Sequence, residues 1–166
     1  MPVDQHARNL AQGLAASSSR VLAKSGVAVP HTGDTVEFTF ATITIPANSI
    51  GPNGQVEIIA LWSYTNSANA KTVRNRFGGT QINSITATTT ANIQSYIRLG
   101  NRNAANSQFV SGQGSAGGGF GSSATVLGTA AIDTTAAVDI TLTGQLASAA
   151  ETITLESYLV RISYGA

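Results

Sequence analysis

Apolar side chains recur at every second position of residues 56–64, where Val56, Ile58, Ala60, Trp62 and Tyr64 share one phase and Ile59 and Leu61 make the other phase apolar too. A period of two belongs to extended chain, and a strand apolar in both phases is expected at the centre of a sheet with both faces covered. The next residues, TNSANAK, favour bonds to their own backbone and predict a turn. TVRNRF then alternates again, with Val73, Asn75 and Phe77 opposite Thr72, Arg74 and Arg76. Gly78 and Gly79 provide a second tight turn before the short strand TQINSI.

The same grammar runs through the rest of the chain. VEFTFATITI changes phase between Val36, Phe38, Phe40 and Ile43, Ile45, which predicts a bulge or a corner. NIQSYIRLGN, SATVLGTAAI and VDITLTGQL follow, and TITLESYLVRISY changes phase once more between Leu155 and Tyr158. About eight strands without intervening helices predict an all-β fold, an antiparallel β-sandwich of jelly-roll type. Residues 100–121 are glycine-rich and read as a long mobile loop.

The N-terminal region reads differently. Residues 3–24 predict a marginal helix, capped by Asp4 and ended by Gly26, with a thin apolar stripe of Leu10, Leu14, Val21 and Leu22. SGVAVPHTGDT reads as a linker. The expected organisation is an arm and linker at 1–33 and a sandwich domain at 34–166. The opening residues lack the apolar core of a secretory signal, so synthesis on the cytoplasmic side is expected. No run of about 18 apolar residues predicts a membrane-spanning helix.

Chemistry is hard to place. There is no cysteine, which removes thiol catalysis and thiolate-bound zinc. His6 and His31 lack a second ligand at metal-binding spacing and read as solvated. Glu37, Glu57, Asp139 and Glu156 fall on strand positions opposite apolar ones, the ordinary place for solvated charge, rather than forming an acid pair. Gly117, Gly118, Gly119 and Gly121 lack the lysine and helix of a phosphate loop. The expectation is no enzyme, no cofactor and no metal.

Charge is the more informative signal. Only 10% of residues are charged, and the formal net charge is +1. An ordinary soluble domain carries about 25% charged residues. Little electrostatic repulsion separates copies, so incorporation into an assembly is expected. Between Ile58 and Ile132 there are five bases, Lys71, Arg74, Arg76, Arg98 and Arg102, and no acid. They either meet Glu57 or Glu156 across neighbouring strands or form a basic docking face. Together with Leu10, Leu14, Val21 and Leu22 they are the candidate interface. Aromatics are not interleaved with the cations as single-stranded nucleic acid would require.

The run TITIPANSIGPNGQVEIIALWSYTNSANAKTVRNRFGG, followed by SYIRLGNRNAANSQ, resembles the β-sandwich of virion structural proteins of tailed bacteriophages, seen in capsid cement (decoration) proteins and tail-fibre tips. The resemblance spans about residues 35–166 and implies a jelly roll that forms a homotrimer, with an arm that attaches it to the virion. On that basis the expected role is a capsid decoration protein at the capsid surface, with the major capsid protein as partner. The alternatives are a tail-fibre or receptor-binding tip that meets a host glycan, and a carbohydrate-binding module. The module would need an exposed aromatic platform, whereas Trp62 falls on the most buried strand.

Overall fold

The computed structural model describes residues 19–113 and 127–166. The elements are β1 (Ser19–Ser25), β2 (Val29–His31), β3 (Phe38–Ile45), β4 (Gln55–Tyr64), β5 (Lys71–Phe77), β6 (Thr80–Ala87), β7 (Asn92–Asn101), β8 (Gln108–Gln113), β9 (Gly128–Ala130), β10 (Val138–Leu146) and β11 (Ile153–Ser163). They form two antiparallel sheets, with no helix among the described residues. The larger sheet runs β1-β11-β4-β7-β8-β9, with β2 also paired to β11, and the smaller runs β3-β10-β5-β6. The fold is an all-β sandwich.

Alternation places the core as the sequence predicts. Val56, Ile58, Ala60 and Trp62 of β4 are fully buried, and across the interior they face Val73, Ile140 and Leu142 of the smaller sheet. Burying side chains of this size contributes about 1.5–3 kcal/mol each. Phe40 lies edge-on against Trp62 with ring centroids 5.1 Å apart, joining the two layers. Gly144 permits this, because a Cβ there would stand 2.8 Å from the Phe40 ring.

Both predicted phase changes are bulges. The β10–β3 register shifts between Leu142 and Thr143, and the β11–β4 register shifts between Leu155 and Ser157, leaving Glu156 unpaired. Each extra residue lets the apolar series change phase in sequence while it stays on the core face of the sheet: Phe40 with Ile43 and Ile45, and Leu155 with Val160 and Ile162, are all buried.

Four expectations are corrected. Residues 19–31 are not the end of a helix followed by a linker: β1 and β2 both pair with β11. Val21 and Leu22 therefore lie on an edge strand. The part of the predicted helix that precedes Ser19, with Leu10 and Leu14, lies outside the described residues. Residues 100–121 are not one long loop: Gln108–Gln113 form β8, paired with β7 and β9, and only 114–121 of that stretch lie outside the described residues. β4 is central but covered on one face only, and Leu61 remains 37% exposed. His31 is buried rather than solvated, with its ring stacked on Phe38 at 4.5 Å.

Candidate functional site

The two outer faces of the sandwich differ in chemistry. On the smaller sheet, β3 presents Thr39 and Thr44, β10 presents Thr141, Thr143 and Gln145, and β5 presents Thr72, Arg74 and Arg76. This face is polar throughout. Its arginines are matched to Glu37: Arg76 Nη2 donates to both Glu37 carboxylate oxygens at 2.9 and 3.1 Å, and Arg74 Nη1 lies 3.4 Å from Glu37 Oε2. Thr143 donates to Glu37 as well. Partial burial pushes the Glu37 carboxyl up, but the bonds from Thr143 and Arg76 and the two guanidinium charges outweigh it and hold it below the usual value.

The outer face of the larger sheet is mixed. Register places exposed Lys24, then Leu159, Ile59 and Tyr96, side by side across β1, β11, β4 and β7. The adjacent row is Val21, Arg161, Glu57 and Arg98 across β1, β11, β4 and β7. Leu61 lies beyond the apolar row, opposite Ser157 and Gln94. Glu57 accepts a 2.9 Å hydrogen bond from the Tyr96 hydroxyl. That phenol is pushed up by partial burial and by the Glu57 carboxylate, which accepts its proton only while the phenol stays neutral. Arg98 donates to Gln55 at 2.7 Å. Arg161 is exposed and makes no ion pair or hydrogen bond among the described residues.

The predicted basic residues therefore do not form one face. Arg74 and Arg76 lie on one side of the sandwich and Arg98 on the other. Arg102 is exposed in the turn after β7, where its backbone N–H bonds Ser107. Lys71 is inside. Its Nζ donates to Ser67 O at 3.3 Å, Ser67 Oγ at 2.8 Å and Asn69 O at 2.7 Å, and it lies 3.6 Å from Glu151 Oε2. Ser67 and Asn69 donate in turn to Glu151 Oε1, so this cluster ties the β4–β5 turn to the β10–β11 turn. The hydrogen bond from Ser67, then those from Asn69 and Lys71 with the lysine charge, hold the Glu151 carboxyl below its usual range against the opposing effect of burial. Every polar atom of Lys71 faces a fixed acceptor, so the amine is a structural cation rather than a nucleophile.

At the opposite end a second buried network closes the loops. Asn101 Nδ2 donates to Gly51 O and Thr134 Oγ1, and Gln108 Nε2 donates to Asn101 Oδ1 and to the carbonyls of Ala105 and Ile132. Among the described residues no group of three or more His, Asp and Glu is placed to hold a metal. His31 Nε2 lies 3.3 Å from Asp34 Oδ1, and its ring packs against Phe38 and Phe40. Among the described residues the arrangement offers polar and apolar contact surfaces.

No known protein family matches the chain, and no curated protein matches it in sequence. Thirteen chains among solved structures match. They include the CBM2 module of the evolved Dit of Lactobacillus casei BL23 phage J-1, at 9% identity over 90% of this chain and 98% of that chain, with a TM-score of 0.47. The winged bean acidic lectin, complexed with methyl-α-D-galactose, matches at 10% identity over 89% of this chain and 98% of that chain, with a TM-score of 0.37. Dimeric latent PorU from Porphyromonas gingivalis matches at 9% identity over 89% of this chain and 13% of that chain, with a TM-score of 0.41. All three TM-scores fall below 0.5, and neither topology nor function is taken from them.

Proposed function

We propose that this chain is a non-catalytic structural module of a bacteriophage virion, a decoration protein that adds cohesion to the head shell. The observation that carries a contact role is the asymmetry of the outer faces. One is polar with its arginines already matched to Glu37, while the other leaves Val21, Leu61 and Arg161 exposed around a row of Leu159, Ile59 and Tyr96. Apolar residues rimmed by polar ones mark interaction surfaces. The virion assignment rests on the resemblance of residues 35–166 described above.

The strand order supports reading the sandwich as a jelly roll. β1, β4, β7 and β11 lie in one sheet in the order β1-β11-β4-β7, and β3, β5, β6 and β10 lie in the other in the order β3-β10-β5-β6. That is two interleaved Greek keys, with β8 and β9 as an extension from β7.

Attachment to the major capsid protein then falls to residues 1–18, because β1 and β2 belong to the sandwich. Many weak contacts repeated around a closed shell act by avidity. Deleting residues 1–18 and measuring occupancy on purified particles tests this; unchanged occupancy would contradict the attachment role. Deleting 1–33 would remove β1 and β2 and confuse unfolding with detachment. The lectin reading is disfavoured because Trp62 is fully buried.

A further inference from the structure

We infer that the outer face of the larger sheet is an isologous interface with a second copy of this chain. The inference rests on the contact role proposed above and names the partner.

The argument starts from register. Glu57 and Arg161 are direct cross-strand partners, and so are Ile59 and Leu159, two residues further along the same outward phase. A two-fold axis parallel to the strands, midway between β4 and β11, places β4 of one copy over β11 of the other. It keeps every residue in its own row. Glu57 then faces Arg161 of the partner subunit, and Ile59 faces Leu159 of the partner subunit, each contact occurring twice. The charge complementarity is thus built into one chain: an acid and a base in the same row on adjacent strands become two reciprocal ion pairs.

Two further observations fit this occupant. Arg161 is exposed and without an ion pair among the described residues, whereas Arg74 and Arg76 on the other face are both held by Glu37. The size is also suitable. Four strands overlap about that axis, β1, β11, β4 and β7; at about 4.8 Å apart and eight residues of about 3.3 Å each they give a flat footprint of about 500 Å², which side-chain relief raises towards the roughly 800 Å² per partner of a specific interface. Formal net charge of +1 leaves little repulsion between copies. Packed sheets cross at about 30°, so rows near the axis match best, and rows 57 and 59 are adjacent.

Sedimentation equilibrium of the full chain across a concentration series tests this. The expected species has twice the 16.9 kDa chain mass. Arg161→Glu and Glu57→Arg each weaken the dimer by about tenfold or more, and the double charge swap restores most of the loss. Leu159→Asp gives monomer at every concentration, with unchanged far-ultraviolet circular dichroism showing that the sandwich still folds. A wild-type monomer or trimer, a dimer insensitive to these variants, or a double swap no better than the single changes would each overturn the inference. Failure here is separable from failure of the virion reading: a monomer found at high copy number on particles sinks only the dimer, and a charge-swappable dimer absent from particles sinks only the virion role. A wild-type monomer whose particle attachment is lost on Leu159→Asp shows that the face serves another protein, and also overturns the inference.

Discussion

Lys71 Nζ lies 3.6 Å from Glu151 Oε2, with the two side chains 0% and 6% exposed, so the chain's one buried lysine is matched by a carboxylate from a turn eighty residues later. Three acceptors from Ser67 and Asn69 complete the lysine's shell. Removing either charge alone strands the other in a place water does not reach. Lys71→Met is therefore expected to lower Tm by several degrees, and Glu151→Gln to do the same. Lys71→Met combined with Glu151→Gln should lose less than the sum of the single changes. Thermal unfolding of the four proteins checks this; additive losses would contradict coupling.

The acid limb of stability follows from two carboxylates. Glu37 and Glu151 both lie below the ordinary 4.5 in the folded chain. A depressed folded value means the stabilisation is fully present above 4.5 and is lost as pH falls from there through the folded pKa values. Urea midpoints should be flat from pH 7 to about 5 and fall below that. Glu37→Gln and Glu151→Gln should each flatten the fall; a profile unchanged in both variants would contradict the assignment.

The two faces of β4 should respond differently to the same truncation. Ile58 is fully buried and Leu61 is 37% exposed. Ile58→Ala should cost about 2–5 kcal/mol in chemical denaturation and Leu61→Ala no more than about 0.5 kcal/mol. Measured at concentrations where the chain is monomeric, similar losses at both positions would mean that the outer face is covered within the single chain.

Asn75 points into the core of the smaller sheet, fully buried, with neither side-chain atom hydrogen-bonded to protein, opposite Asn83 on β6. An unmatched buried amide costs about 1–3 kcal/mol. Asn75→Leu, which keeps the branched shape and removes the amide, should raise the denaturation midpoint. A lower midpoint would show that the amide is satisfied in solution.

The legible parts of this fold were those where alternation is long. Val56 to Tyr64 and Val138 to Leu142 announced themselves, and the phase changes near Phe40 and Glu156 announced bulges. β1 was read as helix because its register shift between Val21 and Ala23 breaks alternation in a seven-residue strand. β2, three residues long and containing Pro30, has no period to read. Lys71 carried a usable signal that its charge concealed: it shares the phase of Val73, Asn75 and Phe77, and so falls inside. The pairing of Arg74 and Arg76 with Glu37 was not legible, because Glu37 precedes β3 and reaches β5 across the intervening β10. The mixed outer face needed register as well as pattern, since Arg161, Glu57 and Arg98 are neighbours only once β11, β4 and β7 are aligned.

The central claim is that this sandwich works by being present at many positions of an assembly and adding contacts there. Quantitative mass spectrometry of purified particles, separated into heads and tails, measures that directly. The account predicts this chain in the head fraction at a copy number comparable with the main shell protein. A handful of copies confined to the tail, or none in either fraction, would contradict it.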